Sequence, residues 1–257
     1  MDAKPDLEAL KRDIIEARGY WHPFHEGLLR LNPDFLKAYL DFQSAPWKSG
    51  HLEPKVREFI YIAVDGAVTH LYEKGLRRHI ENALALGATQ QEVLQVVLLT
   101  CSASGHQTHE LGMSVLMEEL ERLDPQAAKP EGLSDDQKRM KQRFIDSVGY
   151  WPECGDALLK VAPHFADGFL GYGATAWSAG SLAPKVKEFV GLAVCASPAS
   201  LYETGVRNHI RRALAHGATS AEISEVLQLA SAIAIHTCTY GVPALVDAVA
   251  AHAAGKP

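Results

Sequence analysis

The 257-residue chain carries little cysteine and no pattern in what it has. Cys101, Cys154, Cys195 and Cys238 form no C-x-x-C pair and show no zinc-ligand spacing. That argues against a secreted disulfide scaffold and for a reducing compartment. Excess positive charge is also missing: the net charge is -6 and the pI about 6.0, so no broad nucleic-acid footprint is expected. No apolar run reaches the roughly 18 residues that span a bilayer, so no membrane association is expected. The amino terminus, MDAKPDLEALKRDII, is charged throughout and lacks the apolar centre of a signal peptide. The expectation is a soluble cytoplasmic protein. Strand-like alternation of period two is absent as well. What remains is ample apolar material, 47% against 22% charged, enough to bury a core.

The chain repeats itself. Gly19-Tyr20-Trp21 returns as Gly149-Tyr150-Trp151, an offset of 130. The same offset relates Pro54-Lys55-Val56 to Pro184-Lys185-Val186, Leu71-Tyr72-Glu73 to Leu201-Tyr202-Glu203, and Gly87-Ala88-Thr89 to Gly217-Ala218-Thr219. Ungapped comparison of residues 19–108 with 149–238 gives 35 identities in 90 positions. This is a tandem duplication whose period is too long for a solenoid. Proline and glycine at Pro125, Pro130 and Gly132 mark the joint, which places the repeats at residues 1–125 and 134–257. A short joint between related halves predicts that they pack together as a pseudo-dimer.

Helical spacing runs through both halves. Helices are expected over Leu7 to Ala17, Pro33 to Phe42, Pro54 to Val68 and Leu71 to Leu86, with proline opening some and Gly87 closing the last. Thr89-x-x-Glu92, Thr219-x-x-Glu222 and Ser134-x-x-Gln137 read as capping boxes. The first two open apolar helices expected to run from Val93 to about Cys101 and from Ile223 to about Ile235. The fold class is all-α.

A short set of polar residues recurs where the surrounding helix is apolar. Glu58 and Glu188 lie in PKVREFIYIAV and PKVKEFVGLAV. Glu58 shares a helix face with Tyr61, Ile62 and Asp65, and Glu188 with Gly191, Leu192 and Cys195. His79 and His209 follow on the next helix, seven residues after Tyr72 and Tyr202. His106 and His236 lie on the helix after that. Each has a plain alternative: a solvent-facing or paired carboxylate, or a histidine satisfied within a core. Trp21, Trp47, Trp151 and Trp177 read as packing. Glu73 with Arg77 and Glu203 with Arg207 are i,i+4 pairs, although Arg77, Arg78 and Arg207 are also candidates for holding a substrate carboxylate. His106-Gln107-Thr108-His109 is the nearest approach to a metal-ligand spacing, and its repeat lacks the second histidine, so no metal site is expected.

The runs Glu58…His79-x-x-x-Ala83-x-x-x-Gly87-Ala88-Thr89-x-x-Glu92 and Glu188…His209-x-x-x-Ala213-x-x-x-Gly217-Ala218-Thr219-x-x-Glu222 resemble the carboxymuconolactone decarboxylase and alkylhydroperoxidase D-like superfamily. Tyr240-Gly241-Val242-Pro243-Ala244 is similar to the carboxyl end of the decarboxylase branch. The resemblance implies helical units arranged in a ring of six, so a homotrimer of this duplicated chain would supply six. It also implies a glutamate and a histidine on adjacent helices at the active site. The peroxidase branch places Cys-x-x-Cys before its histidine; here those positions hold Tyr72 and Gly75, and Tyr202 and Gly205. Without a thiolate, thiol peroxidase chemistry is disfavoured. The remaining implication is a decarboxylase of aromatic-compound catabolism, needing no cofactor or metal and acting on a small carboxylated lactone. In that reading His79 and His209 are acid/base groups, and Glu58 and Glu188 orient them and raise their pKa. Tyr72, Tyr202, Arg77, Arg207, His106 and His236 would contact substrate. An atypical oxidoreductase or isomerase on the same scaffold, and a non-catalytic oligomeric binding protein, stand as alternatives.

Overall fold

The computed structural model describes residues 6–18, 21–124 and 132–255. Gly19 and Tyr20 of the repeat signature, and Pro125 and Pro130 of the joint, lie outside the described residues. Among the described residues the elements are helices and no strand, as the spacing predicts. The first repeat contains α1 (Leu7–Arg18), α2 (Pro23–Leu31), α3 (Pro33–Ser49), α4 (Pro54–Gly66), α5 (Glu73–Ala85) and α6 (Gln90–Leu123). The second contains α7 (Asp135–Val148), α8 (Gly155–Val161), α9 (Pro163–Ser178), α10 (Pro184–Ala196), α11 (Glu203–Ala215), α12 (Ser220–Ser231), a 3-10 turn (Ala232–Ile235) and α13 (His236–Ala253).

Local chemistry sets most boundaries. Proline opens α3, α4, α9 and α10, where its missing N–H costs nothing. Thr89 Oγ1 accepts from Glu92 N–H at 3.1 Å while Glu92 Oε2 accepts from Thr89 N–H at 2.7 Å, a closed capping box. Ser134 and Gln137 close another at the start of α7. Gly87 and Gly217 follow α5 and α11 with φ of 85° and 80°, a left-handed conformation that glycine adopts without strain. Two helices depart from expectation. α3 continues past Phe42 to Ser49, through Pro46. α6 runs on from Cys101 to Leu123, 34 residues in all, because its second half has α8 and α9 to pack against.

The chain forms two compact units that do not coincide with the sequence repeats: residues 1–51 with 231–257, and residues 52–230. The smaller unit packs α2 against α13 around Ile14, Phe24, Leu28, Leu29 and Leu36, with Val242 of α13 seated on Gly27. The larger unit holds a matching cluster, Phe144, Leu158, Leu159, Ala166 and Leu170, between α7, α8 and α9. Three of these, Phe144, Leu158 and Leu159, stand 130 positions after Ile14, Leu28 and Leu29. In each unit, then, the long last helix of one repeat lies on the opening helices of the other.

The core of the larger unit is the α4–α10 contact. The two helices are in contact, and Phe59, Ile60 and Ile62 of α4 and Phe189, Val190 and Leu192 of α10 are each at most 1% exposed. Burying a side chain of this size contributes about 1.5–3 kcal/mol, so this seam fuses the two halves. Polar cross-links accompany it. Gln95 of α6 donates to Trp177 O at 2.8 Å and accepts from Leu182 N–H at 3.0 Å, bracing the α9–α10 loop. At the position equivalent to Gln95, Glu225 of α12 accepts from Arg57 Nε of α4 at 2.6 Å, with side chains 0% and 5% exposed.

One sequence expectation needs amending. The helical run Ser220–Ala253 contains an 18-residue window of mean hydropathy 1.4, so by length and composition one stretch is apolar enough to cross a bilayer. Length and composition do not separate such a span from a core helix, and Ile223, Val226 and Leu229 at its start are buried in the larger unit.

Breaking a buried ion pair strands a charge, whereas replacing both partners does not. Arg57→Met is expected to lose about 3–5 kcal/mol in urea unfolding, and Arg57→Met/Glu225→Leu to recover most of it. A double variant no more stable than the single one would show that the pair is not the source of the loss.

Candidate active site

Two helical hairpins, α4–α5 and α10–α11, build equivalent clusters. Each turns through a leucine with positive φ, 43° at Leu71 and 50° at Leu201, a conformation that costs a non-glycine residue about 1–2 kcal/mol. The turn is locked from behind: Tyr72 N–H donates to Asp65 O at 2.8 Å, and Tyr202 N–H to Cys195 O at 2.9 Å. It folds each glutamate-bearing helix back along its histidine-bearing neighbour.

In the second hairpin Glu188 is 0% exposed. Its Oε2 lies 2.7 Å from His209 Nδ1, and its Oε1 accepts from Arg212 Nε at 2.9 Å. Arg212 also places a terminal guanidinium nitrogen 2.9 Å from His209 Nδ1. One ring nitrogen cannot donate to the carboxylate and accept from the guanidinium together. The closer carboxylate takes the proton, so His209 holds Nδ1–H and leaves Nε2 as an acceptor. Burial would raise the Glu188 pKa, but the hydrogen bonds and charges of His209 and Arg212 outweigh it and hold the carboxyl below its usual range. For His209, burial lowers the pKa; Glu188 pulls upward, Arg212 pushes down, and the net shift is downward. The glutamate does raise the histidine's pKa, as expected, but burial outweighs it. His209 is a neutral imidazole at neutral pH.

This cluster opens on a cavity of about 280 Å³. Phe144, Trp151, Leu158, Phe169 and Leu170 give it apolar walls, and Lys187, Arg211 and Arg212 bring positive charge. The Arg212 guanidinium lies 3.9 Å from the Tyr150 ring centre, which fixes its plane. α6 of the first repeat contributes Leu99, Ser102, His106, Gln107 and Glu110. His106 stacks on Phe169 at 4.2 Å and contacts Ser102 O through Nδ1 at 2.9 Å, and burial lowers its pKa. Gln107 donates to Cys195 Sγ at 3.2 Å. Burial pushes the Cys195 thiol up to about 12 and Cys154 to about 11, so neither wall cysteine is a thiolate at neutral pH.

The first hairpin differs, among other positions, at three around its Glu–His pair. Glu58 Oε2 lies 2.6 Å from His79 Nδ1, so the two face each other as their counterparts do. Asn82 stands where the second hairpin has Arg212, and its Nδ2 is 3.5 Å from both Glu58 oxygens. Asp65 stands where Cys195 does, 3.8 Å from His79 Nε2, and burial pushes its carboxyl up to about 8. Tyr61, replacing Gly191, stacks its ring on His79 at 4.5 Å. In the second hairpin the His209 ring fills the space that any side chain at Gly191 would need. One hairpin thus covers its histidine with a phenol, and the other tucks it against bare backbone beside the cavity.

The candidates named from sequence divide accordingly. His209, Tyr202 and His106 meet around one cavity, and Glu188 lies behind its histidine. Glu58 and His79 pair in the other hairpin, with Tyr72 buried at the turn before α5. His236 opens α13 in the smaller unit. Arg77 and Arg207 sit on exposed faces, bonded to Glu73 and Glu203, and neither lines this cavity. Arg212, Lys187, Glu110 and Gly191 were not singled out as site residues. Arg212 had a signal, since it lies three positions after His209 on the same helical face.

The carboxymuconolactone decarboxylase family profile matches residues 33–108 and 163–254. A solved structure from Burkholderia xenovorans LB400, provisionally assigned as a gamma-carboxymuconolactone decarboxylase subunit, is similar with a TM-score of 0.87 and 36% identity, covering 96% of this chain and 98% of that one. No curated protein matches. With the profile matched in both repeats, the chain belongs to the carboxymuconolactone decarboxylase family.

Proposed function

We propose that the chain is a carboxy-lyase that removes carbon dioxide from a small carboxylated lactone in aromatic-compound breakdown, and that the α10–α11 site does the work. The observation that carries this reading is the Glu188–His209–Arg212 cluster bordering an apolar cavity with cationic groups in its wall. Loss of carbon dioxide moves a localised carboxylate charge into an extended dienolate. Apolar walls such as Phe144, Trp151 and Phe169 remove the water that would stabilise the starting charge. Arg212, with Lys187 and Arg211, supplies fixed positive charge for the retained carboxylate and the developing enolate oxygen. His209, neutral and held by Glu188 with Nε2 free of that bond, serves as the site's hydrogen-bond and proton acceptor and orients the lactone. Protonated thiols at Cys154 and Cys195 favour this chemistry over thiol-based peroxide reduction.

His209→Gln is expected to cut kcat/KM for lactone decarboxylation by about 10²- to 10⁴-fold, and His79→Gln by less. Unchanged turnover in His209→Gln would sink the assignment. Gly191→Ala puts a methyl group where the imidazole lies, and is expected to approach the His209→Gln loss with helical content intact.

The pH dependence has a definite sign. Because the folded-state pKa of His209 is lowered from 6.5, protonation favours the unfolded chain. The neutral His209 contributes its full stability above pH 6.5, and that contribution falls as pH drops toward the folded-state value. Wild type should therefore lose more thermal stability than His209→Gln on acidification below pH 6.5. Parallel curves for the two proteins would refute the shift.

A further inference from the structure

Decarboxylation consumes one proton for each carbon dioxide released, and that proton must reach carbon inside the cavity. His209 is poorly placed to hold it at neutral pH, since burial and Arg212 keep the ring neutral and its Nδ1–H faces Glu188. Other wall groups are weaker acids still: Tyr150 and Cys195 are pushed up to about 12 and Cys154 to about 11. Lys187 donates to Trp177 O at 2.8 Å; of the two wall carboxyl groups, Glu110 and Glu153, Glu110 of α6 is the one on which Tyr202 and Arg212 act. It lines the cavity with His209 and Arg212, is half-buried, and is hydrogen-bonded to the Tyr202 side chain.

Glu110 also borders a second cavity, of about 370 Å³. The two cavities share Glu110, Glu153, Cys154 and Tyr202 in their walls, so the Glu110–Tyr202 pair stands in the partition between them. Beyond the partition, Glu118 and Glu121 join Glu153 in lining the second cavity, beside Leu111, Met113 and Met117. Burial raises the Glu110 pKa, with Glu153 pushing the same way and Tyr202 and Arg212 opposing. A carboxyl group that keeps its proton unusually high thus sits between an apolar reaction cavity and a carboxylate-lined antechamber.

Resting on the decarboxylase reading above, we propose that Glu110, supplied by the first repeat, is the proton donor to carbon in the second-repeat site, positioned by Tyr202 and reloaded from the second cavity. The bond to the departing carboxyl carbon breaks and its electron pair spreads into the dienolate. The O–H bond of Glu110 then breaks as the C–H bond forms. The new Glu110 carboxylate is stabilised by the Tyr202 hydroxyl and the Arg212 charge until a proton from the antechamber restores it. Position 240, equivalent to Glu110 in the other repeat, is Tyr240, so the sequence provides this acid once.

Glu110→Gln and Glu110→Asp test the role with 4-carboxymuconolactone as the probe, following carbon dioxide release and carbon deuteration in heavy water. The glutamine variant should lose about 10²- to 10⁴-fold in kcat with KM little changed, and lose the alkaline limb of the pH profile. The aspartate variant should regain part of the rate and the limb, which a merely structural residue would not produce. Tyr202→Phe should move that limb while leaving proton delivery intact. Infrared spectra followed across pH should show, besides the Asp65 band, a carboxyl component that titrates above the usual glutamate range in wild type and is missing from Glu110→Gln. Active wild type with a Glu110→Gln variant that keeps its rate and alkaline limb, or lacks the band change, overturns this assignment alone. Wild type that decarboxylates no carboxylated lactone overturns the functional reading, and this one with it.

Discussion

A carboxylate with no exposed surface, Glu188, sits inside the α10–α11 hairpin, and much of the site follows from keeping it charged there. An unpaired buried charge costs several kcal/mol, so the fold must surround it with donors. His209 and Arg212, three positions apart on α11, do this from one helical face. The same contacts set the imidazole tautomer, fix the guanidinium against Tyr150 and leave Nε2 away from the carboxylate. The strained turn at Leu201 belongs to the same constraint, because it brings α11 back along α10.

Duplication gave the chain two such hairpins, and they have come to differ where the chemistry is decided. Tyr61 for Gly191, Asn82 for Arg212 and Asp65 for Cys195 change shape, charge and acidity at once. The first hairpin keeps the Glu58–His79 contact but exchanges a cation for an amide and stacks an aromatic ring on the imidazole. Its Asp65, pushed up to about 8, is a neutral acid where the second hairpin has an inert thiol. Identical subunits in a symmetric assembly carry every substitution at every site; a fused pair is released from that rule.

Local features were legible in the sequence because their causes are local. Proline starts, capping boxes and the glycine after α5 came out where their chemistry put them. The Glu–His pairing was legible at one remove, since periodicity places both residues on inward faces of consecutive helices. Arg207 and Arg212 looked alike as bare arginines, yet helical phase separates them. Arg212 shares the face of His209, while Arg207, two positions before the histidine, lies about 200° around the helix and bonds Glu203 in solvent. The reach of α6 was hidden because Ser102-Ala103-Ser104-Gly105 reads as a break when its packing partners are unknown. Those partners come from the other repeat, and no local pattern announces them.

The extended α6 has a consequence for how separable the halves are. Its second half forms a wall of a cavity whose remaining walls come from α7 to α11, so the first repeat supplies part of the second repeat's site. While one backbone joins them, that wall is held at the effective concentration of a tethered segment, about millimolar for a short connection. Severing the connection after α6 would turn an internal wall into a ligand that must be captured at its own dissociation constant. The boundary drawn by ancestry and the boundary at which the molecule can be divided are therefore different lines.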